Sequence, residues 1–330
     1  MNMVIINQIK KVYSKKRILV TGASGYLSTN LVYALKDVDC TVVRLSRQGT
    51  LPSIKGKAKF IDYQGDIVCR KTWERALEEV DIIYHMAGQT SVYMADERPL
   101  DDMGVNVKSM LLLLEVCREK KTKPIVVFSG TSTEVGVPKK NPVNETFLDQ
   151  PVTLYDLHKL MAENYLKLFC LHGCVSGASL RLTNVYGPGP QSSNSNRDIL
   201  NKMICKALAG EPLTIYGNGA FIRDYVYIDD IIDAFLSVPM NASKTNGKHF
   251  VVGSGEGNSI AQAILLVAER VREKLGISVA VEYVTPPPNR SPIENRSFIA
   301  DFKRFKQTTG WEPQYSLKKG IDLTIEKYSS

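Results

Sequence analysis

Arg17-Ile-Leu-Val-Thr21-Gly22-Ala-Ser-Gly25-Tyr-Leu-Ser28 decides the fold of this chain of 330 residues. Ile18 to Val20 reads as a short apolar strand, and helix-like sequence begins directly after the glycine turn. Gly22 and Gly25 permit a tight turn and a close backbone approach, and the N-terminus of the helix then offers free N–H groups and positive potential to a pyrophosphate. Ser24, Tyr26 and Leu27 line the same turn. The third small position is Ser28 where the dinucleotide fingerprint has Gly; serine still lets helix and strand pack closely. A glycine pair in a turn also has a purely structural reading, so the flanking sequence has to support the ligand.

Outward from this turn, short apolar runs alternate with amphipathic segments. The runs are Ile18–Val20, Thr41–Val43, Lys59–Ile61, Asp81–Tyr84, Ile125–Phe128 and Ala178–Leu182; between them lie Tyr26–Lys36, Thr72–Glu79, Val105–Lys120 and Thr153–Leu171, all of helix length. Strand, helix, strand at this pitch predicts an α/β fold, a Rossmann-type doubly wound parallel sheet. After Tyr186-Gly-Pro-Gly-Pro190 the alternation loosens, with helices expected near Asp198–Leu208, Ile260–Leu275 and Lys318–Tyr328. The chain therefore divides into an N-terminal extension at 1–16, a dinucleotide-binding Rossmann domain at 17–185, and a smaller mixed α/β substrate-binding cap at 186–330, with some chain crossing between the last two. The Ser/Asn-rich stretch Gln191–Asn196 and Pro286-Pro-Pro288 read as loops.

Composition narrows the class. Hydrophobic residues at 44% and charged residues at 23% are those of an ordinary globular protein. The formal charge of +8 is scattered, apart from Lys10, Lys11, Lys15, Lys16 and Arg17, which suits an anionic small ligand and argues against nucleic acid. No stretch approaches the roughly 18 apolar residues of a membrane span, and Met1–Gln8 is too short and polar for a signal-peptide core, so a cytoplasmic location is expected. Six cysteines without a Cys-x-x-Cys pair imply reduced thiols; Cys170, His172 and Cys174 lack a second cluster, so no metal is expected.

The end of the second strand bears on the dinucleotide, since NAD selection uses an acid on the ribose 2′-hydroxyl and NADP selection uses basic or hydroxyl groups around a 2′-phosphate. Val42-Val43-Arg44-Leu45-Ser46-Arg47 offers no acid. Arg44, Ser46 and Arg47 are therefore candidate phosphate contacts, and NADP is favoured with NAD open; an Arg47 that merely begins a solvated loop is the alternative. After the third strand Asp66, followed by Ile67, reads either as a contact to the adenine amine or as a turn carboxylate.

Tyr155 and Lys159 stand one helical turn apart in Thr153-Leu-Tyr-Asp-Leu-His-Lys159, so both polar groups share a helix face. An ammonium within about 4 to 6 Å of a phenol favours the phenolate by roughly 1 to 3 pKa units, which makes the pair a candidate proton-transfer unit. Chance also supplies Tyr-x-x-x-Lys pairs, and the order of the other motifs gives this one its weight.

In that order come His85-Met86-Ala87-Gly88-Gln89, Asn106, Phe128-Ser-Gly-Thr131, Tyr155-x-x-x-Lys159, Leu180-Arg-Leu-Thr-Asn184-Val-Tyr186-Gly-Pro-Gly189, Tyr216-Gly-Asn-Gly219, Arg223-Asp-Tyr225, Asp229-Asp230 and Gly310-Trp311. The chain, from residue 17 to about 325, resembles the extended short-chain dehydrogenases/reductases, and within them the enzymes that modify nucleotide-diphosphate sugars, UDP-galactose 4-epimerase among them. The resemblance implies that Tyr155 is the acid/base for a sugar hydroxyl. Lys159 would hold the nicotinamide ribose, and Thr131 would share the reacting hydroxyl, with Ser132 or Thr133 as alternative sources of it. Met86, Ala87, Gly88, Gln89 and Asn106 would join the glycine turn on the cofactor. Gln89, Ser132, Asn184, Arg223 and one of Arg290 or Arg296 would receive the nucleotide sugar, arginine matching phosphate oxygens with its planar fork. An Arg223 ion pair with Asp224 or Asp229 is the alternative, and sequence does not choose between Arg290 and Arg296.

The family's 4,6-dehydratases follow the threonine with an acid pair. Here Thr131-Ser-Thr-Glu134 puts the carboxylate one position late, and alternation along a strand would point Glu134 away from the site. The expected reaction is therefore 4-epimerisation by hydride transfer at C4, with an NADP(H)-dependent dehydrogenase or 4-ketoreductase as the alternative and 4,6-dehydration below both. A homodimer through Val105–Lys120 and Thr153–Leu171 is implied by the resemblance; the apolar run Met110–Leu114 suits it and equally suits burial against the chain's own sheet.

Overall fold

The computed structural model describes residues 9–49, 51–190 and 199–329. The loop expected at Gln191–Asn196, the helix start at Asp198 and the N-terminal Met1–Gln8 lie outside them. In chain order the first half consists of β1 (Arg17–Thr21), α1 (Tyr26–Ala34), β2 (Thr41–Ser46), β3 (Lys59–Gln64), α2 (Arg70–Ala76), β4 (Ile82–His85), α3 (Val92–Glu97) and α4 (Pro99–Met103). A π-helical turn (Gly104–Lys108) leads into α5 (Ser109–Glu119), followed by β5 (Ile125–Thr131), a 3-10 turn (Ser132–Val135), α6 (Leu154–Leu171) and β6 (Ser176–Leu182). The second half holds β7 (Asn184–Tyr186), α7 (Ile199–Leu208), β8 (Leu213–Tyr216), β9 (Ile222–Tyr227), α8 (Ile228–Met240), β10 (Lys248–Val252), β11 (Gly257–Ser259), α9 (Ile260–Leu275), β12 (Val281–Val284), α10 (Lys303–Thr309) and α11 (Leu317–Ser329).

Seven parallel strands in the order β10-β6-β5-β4-β1-β2-β3 form the main sheet, so the chain reverses direction between β1 and β4. That reversal opens a crevice at the carboxyl ends of the strands, where open α/β sheets bind ligands. Alternation along each strand feeds two cores. Leu19, Val43, Ile83, Val126 and Phe128 meet Trp73, Leu113 and Leu166 on one face. On the other, Ile18, Val20, Val42, Tyr84 and Val127 meet Leu31, Phe235 and Phe250. Of the N-terminal extension's described residues, Ile9 and Tyr13 are buried in this second core, and Tyr13 donates to the Leu236 carbonyl at 2.8 Å.

The second half is interleaved with the first. β10 completes the main sheet beside β6, and α8 packs over β5 and β6. Smaller sheets β11-β9-β7 and β12-β8 carry the rest. Among the described residues no helix is long and apolar enough to cross a membrane, and all six cysteines are free thiols.

Candidate active site

Thr21 organises the crevice. Its hydroxyl accepts the N–H groups of Met86 at 3.1 Å and Ala87 at 3.0 Å, tying the end of β1 to the turn after β4. Its own proton then goes to His85 Nδ1, 3.1 Å away, leaving His85 Nε2 to face Ser109 Oγ at 3.3 Å. Full burial, and after it the nearby Lys159 charge, push the His85 pKa down to about 3, so the imidazole is neutral. It stacks on Phe128 with ring centroids 5.9 Å apart, and Lys159 Nζ stands 4.0 Å from the centroid of that phenyl ring.

The glycine turn has the shape a dinucleotide needs. Gly22 adopts φ +64°, and a Cβ there would lie 2.9 Å from Ala87 Cα. Gly25 is the N-cap of α1, whose first turn carries no acidic residue, so its positive end is unneutralised. Ser28 is buried and donates to the Thr21 carbonyl at 3.1 Å and to Met86 Sδ at 3.5 Å, which is how serine serves the third small position. Ser24 is exposed and Leu27 half-buried at the turn, while the Tyr26 hydroxyl reaches the Gly187 carbonyl at 2.9 Å and leaves the pyrophosphate end to the backbone.

Several expected contacts are otherwise engaged. The Arg44 guanidinium is buried, grips Asp62 of β3 in a fork at 2.6 and 2.9 Å, and directs its remaining nitrogen to the Pro52 carbonyl at 2.8 Å. All three of its nitrogens are thereby turned inward, towards Asp62 and Pro52. Ser46 is buried with its hydroxyl on the Gln48 carbonyl at 2.5 Å, whereas Arg47 is exposed. Asp66 Oδ1 accepts from Val68 N at 3.1 Å, the turn role; Ile67 is buried, with its carbonyl taking the Trp73 indole N–H at 2.7 Å. The Gln89 side chain is engaged internally: Nε2 donates to Ser91 O at 2.8 Å and to Asp102 Oδ1 at 2.7 Å, and Oε1 takes the Ser91 N–H. Asn106 is buried with Nδ2 on Gln89 O and Asp102 Oδ1, both at 3.0 Å.

Tyr155 and Lys159 are both buried on α6, whose start is capped by Thr153 accepting Asp156 N at 3.1 Å. The helix packs against β5 and the 3-10 turn, where Thr131 is half-buried and Ser132 buried. Thr131 Oγ1 and Thr133 Oγ1 are 2.9 Å apart. Glu134 faces away from the site, for a different reason than strand alternation. The strand has ended, and Glu134 closes a capping box by accepting Thr131 N at 2.9 Å. Its other oxygen lies 2.9 Å from Nε of the buried Arg181, which also forks onto Asp149 and contacts Glu163 at 2.7 Å. Burial, reinforced by the Glu163 charge, holds the Glu134 carboxyl well above the usual carboxylate range.

A second centre lies in the cap. Arg223 on β9 is buried and donates to the carbonyls of Glu294, at 2.8 Å, and Arg296. Burial first, then the charges of Arg296 and Arg290, lower its pKa to about 10, offset in part by Glu294. Arg290 and Arg296 both act electrostatically on Arg223, and Arg290 also shares the Glu294 carbonyl with it, at 3.4 Å. Asn184 on β7 is in register with Tyr225 of the same β9 strand. Asp224 is no partner of Arg223: it accepts from Ser254, Gly255 and Ala300 backbone N–H groups at 2.7, 2.9 and 3.0 Å. The arginine segment reaches the first half where Ser291 N meets the Tyr93 hydroxyl of α3 at 3.5 Å.

Sequence reasoning missed Asp102, His158, Arg181, Glu163 and Asp224. The Lys159-Leu-Met-Ala-Glu163 spacing, which continues the Tyr155 face by one more turn, was a signal for Glu163.

Comparison with known proteins bears on the family and the fold. A UDP-glucose 4-epimerase of Mycolicibacterium smegmatis is 30% identical over 316 residues, covering 94% of this chain and 97% of the relative. Among solved structures, the UDP-glucose 4-epimerase of Thermotoga maritima with UDP-glucose superposes with TM-score 0.84 at 29% identity, covering 95% of this chain and 98% of that one. The Thermus thermophilus UDP-glucose 4-epimerase in complex with NAD does so with TM-score 0.79 at 27% identity, over 95% and 99%. The family model described as NAD dependent epimerase/dehydratase matches residues 18–253, and the chain belongs to that family.

Proposed function

We propose that the chain is a nucleotide-sugar 4-epimerase that binds a nicotinamide dinucleotide across the β1/β4 crevice and a nucleoside-diphosphate sugar between that crevice and the cap. When bound, the dinucleotide supplies a hydride acceptor and donor. Tyr155 removes and returns the proton of the C4 hydroxyl, Thr131 holds that hydroxyl, and Lys159 favours the phenolate and grips the nicotinamide ribose. Gly22, Gly25 and the start of α1 hold the pyrophosphate. Arg223, with Arg290 and Arg296, anchors the substrate diphosphate, because a buried cation beside two half-buried ones that repel it is stabilised by an anion with two phosphates.

Epimerisation is carried over dehydration by Glu134. Dehydration across C5 and C6 needs a second acid and base beside the threonine, and the Glu134 carboxyl closes the Thr131 turn and faces buried Arg181. The alternative of a dehydrogenase or 4-ketoreductase with free NADP(H) draws on the exposed Arg47 and the absence of an acid at the end of β2. NADP preference has the same basis. Incubation with UDP-, GDP-, CDP- and dTDP-sugars separates these readings: interconversion of C4 epimers without net absorbance change at 340 nm is expected, and a stoichiometric change would favour the redox enzyme. No turnover of any of these sugars would overturn the proposal.

A homodimer through α6 is part of the proposal. Met110, Leu113 and Leu114 are buried in the chain's own core, so they are not available to it. Leu157 and Leu168, spaced along one face of α6, stay exposed at 40% and 44% and suit a second copy. Sedimentation of Leu168→Glu against wild type tests this, with dissociation expected.

A further inference from the structure

Asp102, wholly buried, gathers three side chains from three segments. Oδ1 accepts from Gln89 Nε2 at 2.7 Å, in the turn after β4, and from Asn106 Nδ2 at 3.0 Å, in the π-helical turn. Oδ2 lies 2.5 Å from Nδ1 of His158, which sits on α6 between Tyr155 and Lys159 and is itself buried. A carboxylate only accepts, so the imidazole proton is on Nδ1. Because Asn106 Nδ2 also donates to Gln89 O, the amide orientation is fixed. Its Oδ1 is left buried without a hydrogen-bond partner, at a place where a Cβ on Gly88 would stand 2.9 Å away.

We infer that Asp102 and His158 are a positioning pair that sets where Tyr155 and Lys159 stand relative to the nicotinamide end of the dinucleotide. The inference rests on the nicotinamide reading above. One carboxylate shapes the Met86–Gln89 bed and, through a single short hydrogen bond, holds the helix bearing the candidate proton-transfer pair. Such a bond is directional, and it ties α6 to α4 in addition to the packing of α6 on β5. A histidine that merely satisfied a buried acid would affect stability evenly across the site; this pair acts on one end of the ligand.

The test titrates the full-length protein and its His158→Leu and His158→Asn variants with NADH and with ADP, which lacks nicotinamide, and measures turnover of the nucleotide sugar. For His158→Leu, NADH affinity and kcat are each expected to fall about tenfold, with ADP affinity and the sugar KM held within about twofold. His158→Asn keeps a donor at the δ position and is expected to restore NADH affinity and kcat to within about threefold of wild type. Should His158→Leu not fold, His158→Gln, whose donor is displaced to the ε position, carries the same expectation. Wild-type NADH affinity in the Leu variant, equal losses of ADP and NADH, or failure of the Asn variant to restore either property would each overturn the pairing. Absence of turnover in wild type would sink the epimerase proposal alone, and the NADH-against-ADP contrast would still decide this one.

Discussion

The floor beneath Tyr155 and Lys159 and the arginine centre of the cap handle charge in opposite ways. Under the catalytic helix the protein buries aromatic rings and a histidine kept neutral, and one ammonium rests over Phe128. In the cap, Arg223 is buried between two further arginines and is held by backbone carbonyls. Beneath the helix the charges are fixed in pairs, Asp102 on His158 and Glu163 on Arg181, which leaves the phenol and ammonium to balance each other and suits proton transfer; a surplus of cations suits holding an anion still. The division teaches that chemistry and anchoring are separable here, and variants at each place should separate kcat from KM.

The largest effect is expected at the floor. Tyr155→Phe removes the proton-transfer group, and kcat should drop by about 10³-fold or more, with dinucleotide affinity retained. Retained turnover would break the comparison at its base. In the cap, Arg223→Met should raise the KM for the nucleotide sugar by roughly 10- to 100-fold, the loss of charge-assisted bonds of about 1.5–3 kcal/mol, while kcat changes far less. A kcat loss matching the KM rise would mean the two regions are not separable.

Why some of this was legible in sequence and some was not follows from the range of the interactions. The turn Thr21–Ser28 and the Tyr155/Lys159 step are local, and short-range sterics and helical periodicity define them. Thr131-x-x-Glu134 was legible as a capping box, although the outward course of Glu134 was read from strand alternation, and a turn produces it instead. Arg44 misled because its partner, Asp62, becomes adjacent only when β3 pairs in register with β2. Asp102 and His158 are separated by 56 positions, and no local pattern announces their meeting. Sequence could not choose between Arg290 and Arg296 for a related reason: the short 3-10 turn Pro292–Asn295 lies between them, and the charges of both reach Arg223.

Acid should act on the floor through His85. The folded pKa of His85, near 3, lies below the roughly 6.5 of an unfolded histidine, so below pH 6.5 the unfolded chain binds the extra proton. The stability that neutral His85 confers is whole above about pH 6.5 and is lost as pH falls from there towards 3, by up to about 1.4 kcal/mol per unit. His249, lowered to about 4 chiefly by burial, adds to the same window. Urea unfolding between pH 7 and 5 measures the slope, and His85→Asn should flatten it. An unchanged slope in that variant would mean that the floor is not held neutral by this histidine.

The smallest expected effect concerns the adenosine end, where the comparison meets its own exception, since Arg44 and Arg47 are two arginines of opposite use within one strand end. Arg44 neutralises Asp62 from inside the protein, so Arg44→Met should lower stability and leave the ratio of NADP to NAD affinity unchanged. Arg47 is exposed and unencumbered by burial, so its contact with a 2′-phosphate would be screened by solvent and worth about a tenfold preference at most. Arg47→Ala should therefore lower NADP affinity by up to that factor and leave NAD binding alone, as read by paired titrations at fixed ionic strength. If NAD already binds more tightly in wild type and Arg47→Ala changes nothing, the end of β2 does not read the phosphate. The neutral end of the chain's second strand then needs only the ribose hydroxyl, which Ser46 can meet by turning its hydroxyl off the Gln48 carbonyl.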